Sequence, residues 1–152
     1  MPIEARIRKQ FYGKPWREVV RPRILARAGN KCEQCGKPNG ARVFTYTWRE
    51  PSGPRMIWIR EGSRVWRNQW GRAISLLRPR GLPRKILVDL QICHLNNCPG
   101  DDRDDNLRAC CGWCHCNLDL PFHKQTRAGR KDGARPLLAG LHEAHLQAVR
   151  TP

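Results

Sequence analysis

Acidic side chains are scarce. The 152-residue chain has 13 Asp and Glu against 29 Lys and Arg, a formal net charge of +16 at pH 7. Such a positive field gathers polyanions, and nucleic acid is the commonest of them. Long apolar runs are also missing. No stretch approaches the ~20 apolar residues of a membrane span, and no long amphipathic segment reads as a surface-lying helix. No membrane partner is expected. The opening text, Met1-Pro2-Ile3-Glu4-Ala5-Arg6, has no apolar signal region, so a reducing cytoplasm is expected, in a bacterial or phage-infected cell. Apolar residues make up 39% of the chain, and 12 Pro with 13 Gly interrupt its regular elements. A core that modest often needs a staple, which structural zinc supplies.

Cysteine is what the chain has in quantity: eight residues, four of them in two Cys-x-x-Cys pairs. That spacing favours a metal over secreted disulfides. The expected ligands are Cys32, Cys35, Cys111 and Cys114. Cys110 rivals Cys111, although it would make a Cys-x-x-x-Cys and point away along its strand. Cys93, Cys98, Cys110 and Cys116 then read as small buried apolar residues or, less simply, as a second metal cluster.

The chemistry concentrates in Ile86 to Phe122. It reads as an apolar strand ending at Cys93-His94, a polar loop, a return at Leu107–Cys110, the second knuckle, and a helix from near His115. A neutral imidazole titrates near pH 6.5 and can take a proton from water at neutral pH. His115 and Asp119 are four apart, share one helix face, and can hold one divalent cation together. Asn106, at the end of the loop, can orient that loop or complete a metal shell. The acidic loop Asp101–Asp105 reads as turn caps facing solvent or, less simply, as the source of an oxygen ligand for the metal. A base beside a half-exposed metal in a basic protein suggests phosphodiester hydrolysis.

His94, Asn106 and His115, flanked by Cys32-x-x-Cys35 and Cys111-x-x-Cys114, resemble the HNH endonuclease family. More narrowly, they resemble its small phage and bacterial members with four zinc-binding cysteines. The resemblance covers about residues 12–49 and 84–123. It implies an α+β fold with a ββα-metal core, a structural Zn²⁺, and a β-rich basic insertion. His94 would be the base, Asn106 the middle residue, and His115 with Asp119 the ligands of a catalytic cation such as Mg²⁺, Mn²⁺ or Zn²⁺. DNA would be the substrate, bound mainly through its backbone. The sequence departs from the family at Cys93, where many members place an Asp or His ligand; a thiol is a poor ligand for Mg²⁺.

The rest of the chain is read as one domain over 1–152. Residues 1–15 form a basic arm. Trp16–Ala28 reads as a helix that Pro22 bends or restarts. Ala41–Trp48 and Arg55–Arg60 read as a hairpin opening an insertion over 41–85, and Ser63–Leu77 leans to helix. The insertion interleaves Trp48, Trp58, Trp66 and Trp70 with arginines. These either clamp nucleic acid or form a small core with a charged rim. Residues 123–152 are a basic tail with a helix over 136–149. Two other functions stay open: a zinc-containing nucleic-acid-binding module without catalysis, and a nuclease directed at RNA.

Overall fold

The structure, a computed structural model, describes residues 10–75 and 81–131. It is mixed α and β, with two helices and two antiparallel sheets. A π-helical turn, Trp16–Val20, runs into helix α1, Arg21–Arg27. Pro22 lies in the first turn of α1, where a missing N–H removes no helical hydrogen bond. The helix therefore restarts at Pro22 rather than breaking. It ends when Gly29 N–H and Asn30 N–H bond back to the carbonyls of Ala26 and Leu25.

The first sheet has strand order β4-β3-β2-β1-β5. Its strands are β1 Arg42–Glu50, β2 Gly53–Arg60, β3 Trp66–Asn68, β4 Ala73–Ile74 and β5 Arg84–Leu87. The β1–β2 hairpin pairs Val43 with Arg60 and Glu50 with Gly53. Its branched and aromatic residues suit a pleated surface, and Val43, Met56 and Trp58 turn into the core.

The helix expected over Ser63–Leu77 is not there: the described part of that segment forms β3 and β4. A local network explains the outcome. Asn68 Oδ1 accepts the N–H of Trp70 and of Arg72, closing a turn between the strands. Gly71 then sits at φ +80, and a Cβ there would lie 2.7 Å from the Cys35 carbonyl oxygen. Only glycine permits that conformation and that approach.

The second sheet is the pair β6 Leu90–His94 and β7 Leu107–Cys111, with Gln91 opposite Cys110 and His94 opposite Leu107. The single strand expected over Ile86–His94 is two strands in two sheets. The chain changes sheets at Val88 and Asp89. Val88 exchanges backbone hydrogen bonds with Gly40 and Ala41, and the Asn39 side chain accepts Leu90 N–H. Helix α2, Gly112–Lys131, follows β7 directly, so it starts three residues before the expected position.

Both faces of the β6–β7 pair are covered. Ile92, Leu107 and Ala109 pack on Trp16 and Ile24. Cys93 and Cys110 pack with the four knuckle cysteines, Leu90 and Trp58. Ile24 is fully buried, and burial of one such side chain contributes about 1.5–3 kcal/mol. The first knuckle is clasped to β7 by Glu33. Its carboxylate accepts Ala109 N–H at 2.6 Å and pairs with Arg27 at 3.1 Å, while Arg27 also donates to the Leu107 carbonyl. No described helix is long and apolar enough to cross a membrane. Residues 1–9 of the basic arm and the helix expected over 136–149 lie outside the described residues.

Candidate metal centre and flanking histidine sites

Four thiols meet where the first knuckle lies against the β7–α2 junction. Gly36, at φ +72, turns the chain so that Cys32 and Cys35 face one point. Cys111 is the last residue of β7, and Cys114 stands in the first turn of α2. All four are buried, and their sulfurs lie within 4.8 Å of one another. The Cys35–Cys111 separation is 3.7 Å. Tetrahedral Zn–S bonds of ~2.3 Å require sulfurs ~3.8 Å apart, so the cluster matches a closed zinc site. Cys110 is not in that set; it lies on the same strand face as Gln91, as strand alternation predicts.

Lys37 gives an independent reason to expect an ion there. It is fully buried, at 0% exposure. Its Nζ donates to Met56 Sδ and lies 5.9 Å from the Trp58 ring centre. No carboxylate pairs with it among the described residues. A lone buried ammonium costs several kcal/mol. Zn²⁺ with four thiolates carries a net charge of −2, and Lys37 lies close enough to Cys111 to bias it toward thiolate. Cys114, the largest influence, together with Cys35 and then Lys37, pulls the Cys111 thiol down to about 7 against the opposing effects of Cys32 and burial. The cluster can therefore hold a metal ion such as zinc.

His94 ends β6 on the face toward the Trp16 turn. The ring is 8% exposed and stacks on Trp16, with centroids 5.2 Å apart. Nε2 lies 3.0 Å from Asp102 Oδ1, and Nδ1 lies 3.4 Å from the Tyr12 hydroxyl. Burial, with the Asp102 charge beside it, pushes the Tyr12 hydroxyl up to about 12, so Tyr12 stays protonated. Asn106 is buried below this group. It donates to Asn96 Oδ1 and to the Asp101 carbonyl, and accepts Asn96 N–H. Those bonds tie down the loop that carries Asp102. Of the two roles open to Asn106 in the sequence, the geometry displays loop binding.

His115 and Asp119 meet on one face of α2, Nε2 to Oδ2 at 3.2 Å. His115 Nδ1 lies 2.5 Å from Gln91 Oε1. Cys93, on the same face of β6 as Gln91, completes the group. Cys110 first, and then His115, hold the Cys93 thiol down to about 6, while Cys93 raises His115. The Cys93 thiolate and the protonated His115 ring thus favour each other.

Comparison with protein-family models, with curated proteins and with solved structures finds no match.

The structure thus brings His115 to Asp119 but does not bring His94 to either. Successive strand residues point to opposite sides, so His94 and the Cys93–His115–Asp119 group flank β6. No hydrogen bond or ion pair joins the two groups among the described residues. Two participants escape the sequence reading. Asp102 sits in a loop read as solvent-facing turn caps or a source of a metal-ligating oxygen, not as a partner of His94, and Tyr12 lies in the basic arm. The only signal for Asp102 is its place within the loop bounded by His94 and Asn106. Of the four extra cysteines, Cys93, Cys98 and Cys110 are buried as expected; Cys116 is exposed, on the outer face of α2.

Proposed function

We propose that the chain is a metal-dependent endonuclease that hydrolyses DNA phosphodiester bonds, with the β6–β7–α2 unit as an HNH-type ββα-metal core. The observation that carries the reading is the His94–Asp102 pair. A carboxylate accepting the Nε2 proton fixes the imidazole tautomer and leaves the lone pair on Nδ1. Nδ1 then takes a proton from the attacking water, and Asp102 stabilises the imidazolium that results. The Tyr12 hydroxyl, 3.4 Å from Nδ1, stands where a hydroxyl-sized nucleophile would be oriented. His94 is the last residue of its strand, so a phosphate at the strand end can face His94 on one side and the α2 face on the other.

His115 and Asp119 would hold the divalent cation, which would polarise the phosphate and neutralise the leaving 3′-oxygen. Cys93, drawn to a thiolate beside them, favours a borderline ion such as Zn²⁺ over Mg²⁺. The resemblance to the HNH family implies a 5′-phosphate and a 3′-hydroxyl as products. The +16 charge supplies affinity through the backbone, steeply salt-dependent and weakly selective.

A second reading, a binding module without catalysis, is favoured by one observation: both His94 ring nitrogens already have partners and the ring is nearly enclosed. Nicking of supercoiled plasmid separates the two. The nuclease reading expects metal-dependent nicking that His94→Ala lowers by about 10²–10⁴-fold, with DNA binding retained. Binding without nicking under every metal supports the module.

A further inference from the structure

A cavity of about 590 Å³ lies between the first knuckle and the inner face of the five-stranded sheet. It shares no residue with the His94 group or with the His115 group. Its walls carry Lys31, Arg60 and Arg67, and no acidic residue. The two arginines sit where alternation predicts an apolar residue. Met56, Trp58 and Arg60 occupy one face of β2, and Arg67 is registered opposite Trp58 on β3. Arg67 is half-buried there, whereas Arg60, at the end of β2, and Lys31 are exposed, so the cations stand at the cavity mouth in contact with water.

No carboxylate pairs with these cations among the described residues; the anionic group nearest them is the four-cysteine cluster, whose Cys35 lines one wall. Arg67 donates one hydrogen bond, to the Gly71 carbonyl. Lys31 and Arg60 have no ion pair among the described residues. The nearest acid in sequence, Glu61, is turned away and bound to Lys85. Trp58 lines the cavity, and its indole N–H has no acceptor. The walls are also fixed relative to each other, because Gly71 packs directly on the Cys35 carbonyl.

We propose that this cavity is a phosphate-binding pocket that seats one backbone phosphate of a nucleic-acid strand, away from the bond that is cut. Three cations without a carboxylate partner among the described residues, with the unsatisfied Trp58 indole N–H beside them, suit a phosphate. The choice of nucleic acid as the source of that phosphate rests on the DNA-binding reading above; the anion chemistry of the pocket does not. The pocket makes the sheet a second point of contact. It sets where the strand lies relative to the strand end of β6.

The test uses the full chain carrying His94→Ala, which keeps the DNA intact. Binding of a short duplex is measured by fluorescence anisotropy across a salt series. Lys31→Ala with Arg60→Ala is compared with its parent, and zinc content and thermal unfolding confirm that both are folded. The pocket seats one phosphate, so losing that contact lowers the slope of log affinity against log salt by about 0.9. Val65→Glu, at an exposed residue of the pocket wall, adds a negative charge without disturbing the core and should weaken binding as well. An unchanged slope in the double variant, or no effect of Val65→Glu, overturns the proposal. So does loss of inorganic phosphate or free nucleotide binding with duplex binding unaltered. A protein that binds DNA through this pocket and never cuts it would refute the nuclease reading and leave the pocket standing. A protein that cuts normally with an unaltered slope would do the reverse.

Discussion

Replacing Lys37 by Met tests whether a charged metal cluster sits beside it. The side chains are similar in length, so packing against Met56 and Trp58 is largely kept while the ammonium is removed. If the four sulfurs hold Zn²⁺, Lys37 offsets part of a −2 charge in a water-free site. Removing one partner of a buried ionic pair typically costs 3–5 kcal/mol. At ~1.4 kcal/mol per factor of ten, zinc affinity should fall by about two to four orders of magnitude in K37M. A chelator competition titration on wild type and K37M reads this directly. The sign reverses without the ion, since Lys37 would then be an uncompensated buried charge. Metal-free K37M should be as stable as the metal-free parent, or more so. Equal zinc affinity in the two proteins, or equal destabilisation with and without zinc, would refute the reasoning.

Further outcomes follow from the same geometry. Glu33→Ala removes the acceptor of the Ala109 N–H and the partner of Arg27. Leaving a buried N–H unpaired costs about 1–3 kcal/mol, so thermal denaturation should show a lowered melting temperature with the zinc ligands intact. His115→Ala removes one of the groups holding the Cys93 thiol near 6, so thiolate absorbance during a pH titration should show that thiol moving back toward its ordinary value of 9.0. The stability that Cys93 contributes is fully present above its unfolded value and is lost as pH falls through about 6. His115, raised instead, contributes below its unfolded value of 6.5 and loses that contribution as pH rises through its folded one. Asp102→Asn should slow plasmid nicking by more than tenfold with unchanged DNA affinity, because it disturbs the tautomer of His94 and not the binding surface. Equal nicking rates would remove Asp102 from the mechanism.

Local rules served well where local chemistry decides. The two knuckles were legible because Cys-x-x-Cys spacing constrains four sulfurs whatever the rest of the chain does. The β1–β2 hairpin was legible because branched and aromatic residues flank an obvious turn. The helical His115–Asp119 pair needed only the 3.6-residue period. The failures are long-range. Trp66, Trp70, Ala73 and Ile74 fall at helical spacing, while Val65-Trp66 favours a strand. The choice fell to Asn68 capping the turn and to Gly71 lying against Cys35, a contact across 36 residues of chain. The break at Val88-Asp89 depends on Asn39, far upstream, which no window around the strand contains. Asp102 reached His94 because Asn106 folds the loop back, and an acidic loop gives no sign of which carboxylate will turn inward.

The most direct measurement is nicking of supercoiled plasmid by the zinc-loaded chain across Mg²⁺, Mn²⁺, Zn²⁺ and Ni²⁺, with His94→Ala alongside. The proposed nuclease nicks in at least one of these metals, favours a thiolate-tolerant ion over Mg²⁺, and loses the activity in the variant. Plasmid that stays supercoiled in every metal while binding persists, or nicking that His94→Ala leaves intact, would contradict it.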